Sequence, residues 1–324
     1  MHLLDLPQLC EQQTANTFKA PSWLWGAFRR RSISFADGLT DTETRVFWLQ
    51  SQGLTLDLRL PLSGEQPRLD LETLEPSSAM LAQTDLEAWY AHSRWQDQQL
   101  SWQGGCSFQL HNRWPEPAQL QRVGNCMMEF APSGAYVEDW RLLHQHTSGP
   151  LVALELVKEV DLEAERAYPR QGVLMLMADY AGLVIGRKDT EIEARLQNQG
   201  LSLKQGVQLS TQAEQRQLLA METSIAQRVT EGDYKGEYRV QHSLYPQREG
   251  QLLYPLDGFE VSPCGEQVTQ LVTEHRRALK RHWRVDTYLP EVSFSPKTAV
   301  NDLNAKAWRE KEALTLDRYT RCIR

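Results

Sequence analysis

The stretch RVFWLQSQGLTLDLRLP, from Arg45 to Pro61, constrains the fold of this chain more than any other. Apolar and polar side chains alternate after Gln52-Gly53, and aromatic and β-branched residues precede it. A period of two, rich in aromatic and β-branched residues, marks a strand. The segment therefore reads as a hairpin, and Pro61 ends its second strand because proline has no amide for the ladder. In that strand Leu54, Leu56, Leu58 and Leu60 share one face, and Thr55, Asp57 and Arg59 share the other. Two arrangements fit. In one, the leucine face is core and Asp57 and Arg59 form a solvated pair worth under about 1 kcal/mol. In the other, the leucine face is the covered outside of a closed barrel and the charged pair points inward. Alternation by itself favours the surface pair.

The same grammar recurs along the chain. SWLWGAFRRRSISF (22–35), CSFQLHNRW (106–114), NCMMEFAP (125–132), AYVEDWRLL (135–143) and LVALELVKEV (151–160) read as strands. So do the hairpin GVLMLMADYAGLVIGR (172–187), YKGEYRVQHSLYP (234–246) and WRVDTYL (283–289). Helices are expected at three internal places. TDLEAWYAHSRWQDQQL (84–100) opens with Thr84 and Glu87 at capping-box spacing, and Thr211 and Glu214 repeat that spacing at the start of 211–229, whose later part is open to a strand reading. EQVTQLVTEHRRALKRHW (266–283) carries Val268, Leu271, Val272, Leu279 and Trp283 at near-helical spacing. The last 24 residues read as an outer helix.

With 324 residues the chain exceeds a comfortable single core. The charged stretch Leu162 to Arg170, with Pro169 near its end, is the natural boundary, dividing the chain into 1–165 and 166–324. Both halves run strand, hairpin, helix, strands. The expected fold is mainly β with minor α, as two tandem antiparallel barrels.

A formal charge of −7 argues against a nucleic-acid binder, which needs a basic stripe. The local run RALKRHWR (277–284) reads as the polar face of a helix. The five cysteines are widely spaced without a CxxC, so reduced thiols and a cytoplasmic location are expected. Cys106 and Cys126 read as core. The first residues lack the apolar core of a signal peptide, and no apolar run is long enough to span a bilayer.

VFWLQSQGLTLDLRLP, the Gln103-Gly104-Gly105 segment before a Trp-ending strand, and EFAPSGAYVEDWRLL together resemble an uncharacterised bacterial family. Its members are similar to a fungal protein of unknown function built from two lipocalin-like domains. The likeness covers mainly the first half and continues loosely around GEYRVQHSLYPQREGQLL (236–253). Where the family has Phe-Ala-Gly, this chain has Gly104-Gly105-Cys106-Ser107. The resemblance implies two lipocalin-like barrels and carries no activity or catalytic residue.

A small barrel holds one small, mostly apolar ligand gripped by a few polar groups. Three strands offer charged residues at i, i+2 spacing: Asp57 with Arg59, His111 with Arg113, and Asp139 with Arg141, whose neighbours Glu138 and Trp140 take the opposite face. Asp57, Arg59, Arg113, Trp140 and Arg141 are thus ligand-binding candidates, since an inward arginine fork matches a carboxylate or phosphate. His111 and Glu138 are the acid–base candidates for isomerase, cyclase or lyase chemistry. His144-x-His146 has metal-like spacing but no third ligand nearby, so no metal is expected. No cofactor motif appears. Three readings follow: a binding protein for an amphipathic or anionic small molecule, a cofactor-independent enzyme, and a protein-interaction scaffold. The scaffold would expose an apolar patch around Trp89, Tyr90 and Trp95.

Overall fold

The structure is a computed structural model that describes every residue except 7–17, 70–77, 112–114, 189, 230–232, 254–255, 263–266, 275 and 320–324. Its first half contains strands β1 (Gly26–Phe35), β2 (Thr40–Asp41), β3 (Arg45–Gln50) and β4 (Leu54–Leu60). The short helix α1 (Ser78–Gln83) follows. Then come β5 (Glu87–Gln96), β6 (Gln99–Ser107), β7 (Ala118–Val123), β8 (Cys126–Phe130) and β9 (Tyr136–Leu142). The order β1-β3-β4-β5-β6-β7-β8-β9 is an antiparallel meander, and β9 pairs back on β1 from Phe28↔Leu142 to Phe35↔Tyr136. Eight strands therefore close into a barrel, with β2 as a flap on β1. The closure has one thin seam. β6 meets β7 only at Gln99↔Gln119 and Leu100↔Ala118, so 101–107 has no ladder partner on that side among the described residues.

The second half contains β10 (Thr147–Asp161), β11 (Arg166–Met177), β12 (Tyr180–Ile185), and helices α2 (Glu191–Asn198), α3 (Leu203–Leu209) and α4 (Gln212–Leu219). β13 (Glu222–Arg228), β14 (Tyr238–Ser243), β15 (Phe259–Val261), β16 (Val268–Glu274), β17 (Arg277–Phe294) and helix α5 (Asp302–Tyr319) complete it. The sheet order is β14-β13-β12-β11-β10-β17-β16-β15. This is a second antiparallel sheet, in keeping with the expected mainly β fold, and among the described residues no ladder joins β14 to β15. Its inner face gathers Leu154, Leu174, Leu183, Trp283 and Val285 around Leu3 and Leu6 of the N-terminal segment. That segment is fastened by Leu3 N–H donating to Leu256 O at 2.7 Å and by Phe259 N–H donating to Met1 O at 3.1 Å. No helix among the described residues is long and apolar enough to cross a membrane.

The two halves pack back to back. Leu49, Leu54, Leu56, Leu58 and Leu60 on the outside of the barrel join one core with Leu151, Ala153, Val173, Met175 and Val184 of the second sheet. At Gly182 an added Cβ would lie 2.7 Å from Leu49 Cδ2 and 2.9 Å from Leu56 Cδ1, so glycine permits this approach. A buried leucine contributes about 1.5–3 kcal/mol, and this face carries several. Covering it outweighs what a surface ion pair would give. Both faces of β4 are buried as a result, and Asp57 and Arg59 point into the barrel.

Four expectations change. The helix expected at 84–100 is the hairpin of β5 and β6, turning at Asp97 and Gln98 with φ of 53° and 61°. That is the left-handed pair a tight hairpin requires, supplied here without glycine. Trp89 and Tyr90 are consequently not an exposed patch: Tyr90 is buried and Trp89 faces inward. The helix expected at 266–283 is the hairpin of β16 and β17, in which Val268 and Val272 are buried and Leu271 is exposed, a period of two. The strand expected at 106–114 ends with β6 at Ser107. The boundary expected at 165/166 falls inside the β10–β11 hairpin, and the change of sheet comes at 143–146. The 211–229 segment forms helix then strand, and Thr211 and Glu214 complete the capping box.

Candidate functional site in the barrel wall

Alternate residues of each barrel strand face inward, and the ladder register stacks them in layers. One layer is neutral and polar. Gln50 Nε2 donates to Ser93 Oγ at 2.9 Å, and Thr55 Oγ1 donates to Gln50 Oε1 at 2.6 Å. The next layer is aromatic. Trp48 meets Trp140 at 5.2 Å and Trp102 at 6.0 Å, and Trp102 meets Trp89 at 5.7 Å, all edge to face. The indole N–H groups of Trp48 and Trp102 donate to Gln50 Oε1 and Thr55 Oγ1, tying this layer to the first. Trp89 Nε1 has no acceptor among the described residues.

The third layer is charged. Arg59 Nε donates to Asp57 Oδ1 at 2.8 Å, and Arg59 Nη1 lies 3.9 Å from Glu138 Oε1. Arg30 Nη1 donates to the same Glu138 oxygen at 2.8 Å and its Nη2 reaches Asp41 at 2.5 Å. Glu129 Oε2 accepts the Trp140 indole N–H at 2.9 Å, and Glu87 faces Arg59 across the β4–β5 ladder. Burial pushes the Asp57 carboxyl up to about 6 despite Arg59 beside it. Burial and the neighbouring Glu138 carboxyl raise Glu129 well above the carboxylate range. Burial works against the Arg59 cation, but Asp57, Glu138 and Glu87 outweigh it and hold it charged.

Inside, these side chains leave only about 10 Å³ between the tryptophans and Asp57, Arg59 and Glu129, room for roughly one water. A larger space lies at the thin seam. A cleft of about 590 Å³ reaches around the unpaired end of β6. Glu87, Trp89, Ala91 and Trp102 line it from the barrel, and Gln171, Arg187 and α2 line it from the second half. Trp89 and Trp102 border both spaces, so they stand between the cleft and the charged layer.

Backbone geometry makes this opening. Gly104 and Gly105 have φ of +63° and +73°, and a Cβ on Gly105 would lie 1.9 Å from Tyr90 O. They sit in a bulge where β5 and β6 slip register between Tyr90 and His92, and such bulges re-aim a strand. The following segment is pinned to the second half. Arg187 donates to Ser107 O at 2.9 Å, to Phe108 O at 2.5 Å and to Leu218 O at 2.6 Å, and lies 3.3 Å from Glu193. Gln197 Nε2 donates to Leu110 O at 2.7 Å.

The predicted site residues separate. Asp57, Arg59, Trp140 and Glu138 meet inside the barrel. Arg141 lies on the outer face, paired with Asp139 at 2.7 Å. His111 sits on the exposed rim of the cleft with Nε2 2.9 Å from Leu201 O. It is thus on a loop rather than on a strand beside Glu138, and the two do not form an acid–base pair. Arg113 lies outside the described residues. His144 is buried, accepts the Ala27 N–H at 3.1 Å and stacks on Phe294, and burial pulls its pKa down to about 4. Burial pushes the Cys106 thiol up to about 12, an unreactive state. Sequence reasoning missed Glu87, Trp89, Trp102 and Gly105. The alternation Glu87, Trp89, Ala91, Ser93, Trp95 carried the signal, and the helical reading concealed it.

No family model and no curated protein matches the chain. Among solved structures it is similar to the uncharacterised protein YLR301w of Saccharomyces cerevisiae, at 11% identity and a TM-score of 0.41, covering 81% of this chain and 98% of the yeast one.

Proposed function

We propose that this protein binds an amphipathic small molecule in the cleft at the β6–β7 seam, as a lipocalin-like binder with its mouth in the barrel wall. The observation that carries this reading is a cleft of about 590 Å³ that ends on Trp89 and Trp102. Its volume lies in the range of small-molecule sites, and its walls mix aromatic faces with a few polar groups. Membership in a bacterial family of two lipocalin-like domains and a cytoplasmic location are parts of the same proposal. Arg59 serves here as an internal counter-charge to Asp57 and Glu138 rather than as the ligand's anchor. Among the described residues His111 and Glu138 lie apart, which favours binding over the isomerase, cyclase or lyase alternative that paired them. Native mass spectrometry of gently purified protein tests the reading. A reproducible extra mass, lost on denaturation and absent in Gln171→Trp, is expected, since Gln171 is an exposed residue of the cleft wall. Extra mass retained in that variant places the ligand elsewhere.

A second reading has its own observation. α5 is exposed along most of its length, with Leu303, Trp308 and Leu314 in solvent. Most helical stability in proteins comes from packing a covered face, so a protein partner at α5 is the alternative role.

A further inference from the structure

The second sheet carries a charged layer of its own on its inner face, and the charges in it do not balance. Arg281, 1% exposed, donates through Nε to Glu159 Oε2 at 3.0 Å and through Nη2 to Glu274 Oε1 at 2.6 Å. Lys188 Nζ lies 3.3 Å from Glu159 Oε1. Glu222 is held by Arg248 at 2.9 Å. Arg170 sits among the same charges, with Glu159, Arg281 and Glu274 as its electrostatic neighbours. It is 6% exposed, and its Nε and Nη1 have no acceptor among the described residues. Its remaining neighbour, the Cys106 thiol, is pushed up to about 12 by burial and supplies no charge at neutral pH. With the Glu222–Arg248 pair set aside, the cations Arg170, Arg281 and Lys188 share the carboxylates of Glu159 and Glu274, and both carboxylates are engaged by the other two cations.

A guanidinium cannot escape this position by losing its proton, as a buried lysine can. A charge held out of water needs a counter-charge and partners for its N–H groups. Burial outweighs the pull of Glu159 and Glu274 and lowers the Arg170 pKa, so these carboxylates compensate the cation only in part. Trp283 follows Arg281 on the same face of β17, and its indole N–H is a further buried donor without an acceptor among the described residues. Apart from Glu159 Oε1, which faces Lys188, the unmet groups named in this layer are thus donors. A donor on a cation is answered best by an anionic acceptor.

We infer that Arg170 anchors a small anion, a phosphate or a carboxylate, on the inner face of the second sheet. Lys188 stands at the entrance, since its side chain is 44% exposed while the Glu159 it reaches is fully buried. The site is distinct from the cleft at the β6–β7 seam: Pro169 and Gln171 line that cleft, and Arg170 between them faces the charged layer on the other side of the sheet.

The test titrates sodium phosphate and sodium acetate separately into the full chain at constant ionic strength, followed by thermal unfolding and by the Arg170 Nε–H resonance. At least one anion is expected to saturate with a Kd of about 1 mM, moving that resonance and raising the melting temperature. The anion that does so names the source. Arg170→Met is expected to bind it at least about tenfold more weakly, with a melting temperature that no longer responds. Gln171→Trp, which fills the cleft, should keep the wild-type response. If Arg170→Met does not fold, the wild-type resonance decides alone. A resonance that neither anion moves saturably overturns the site, and so does an equal rise in melting temperature in Arg170→Met, which would report a general salt effect.

Discussion

Asp286 of the second sheet accepts the hydroxyl of Ser51, at the turn of the barrel's opening hairpin, at 2.7 Å. The same carboxylate oxygen accepts the Gly53 amide at 3.2 Å and the Thr287 hydroxyl at 2.7 Å. One side chain thus fastens the β3–β4 turn to β17 and adds direction to a back-to-back apolar contact. Asp286→Ala leaves the Gly53 amide without this acceptor and is expected to destabilise the chain by about 1–3 kcal/mol in urea unfolding. Asp286→Asn keeps an acceptor and costs less. Burial raises the Asp286 carboxyl above its ordinary 3.8, so wild type loses stability as pH climbs from 3.8 toward the native pKa. The asparagine variant lacks that slope, and an equal slope in both would refute the assignment.

His92 on the outside of the barrel spans the same interface further along. Its Nε2 lies 2.9 Å from Glu155 Oε1, and Arg284 Nε donates to the other oxygen of Glu155 at 3.0 Å. The hydrogen bond to Glu155 raises the His92 pKa above its ordinary 6.5, outweighing burial. The protonated imidazolium therefore stabilises the folded state. That contribution is fully present below 6.5 and is lost as pH rises through the higher native value. Melting temperatures taken across this window should fall for wild type relative to His92→Gln. Parallel pH profiles for the two proteins would show that the pair contributes nothing.

How much of this was legible in the sequence depended on what each face of a strand meets. The opening hairpin was readable because the Gln52-Gly53 turn and the alternation of Leu54 to Leu60 agree. Which face of β4 is inside was not, because a second sheet covers the leucines and both faces are buried. The β5–β6 hairpin was hidden by a coincidence of spacing. Thr84 and Glu87 mimic a capping box, yet Thr84 Oγ1 donates to Leu81 O at the end of α1 and Glu87 begins a strand. With that hairpin unread, two tryptophans of the cleft, its carboxylate and its glycine bulge went unseen. Repeated alternation was enough for a mainly β fold with a barrel. The closure of β9 on β1 and the strand order of the second sheet depend on long-range pairings that no local pattern encodes.

The bulge gives a sharp test of how the cleft is shaped. At Gly105 an L-residue would hold a left-handed φ at about 1–3 kcal/mol, and its Cβ would collide with Tyr90 O. Gly105→Ala is expected to cost more than that range in thermal or urea unfolding, since backbone rather than a flexible side chain must give way. At Gly38, also with positive φ, an added Cβ meets nothing within 4 Å, so Gly38→Ala should cost only the conformational part. Equal losses at the two sites would mean that the approach to Tyr90 O relaxes freely.

The charged layer predicts two opposite responses to apparently similar changes. Arg59 faces Asp57 and Glu138, both nearly out of solvent. Deleting it strands carboxylates in the barrel, and breaking a buried pair from one side costs about 3–5 kcal/mol. Arg59→Ala should therefore unfold at markedly lower urea, and any loss of binding in it reports folding rather than contact. Glu129 differs although it lies in the same layer. Burial and Glu138 already favour its protonated form, and its Oε2 accepts from Trp140 Nε1. Glu129→Gln can keep that acceptor and carries no charge, so its stability should stay within about 1 kcal/mol of wild type at neutral pH. The contrast rests on which carboxyls the two guanidiniums hold. A Glu129→Gln protein as unstable as Arg59→Ala would mean that Glu129 is ionised and belongs to the ion network.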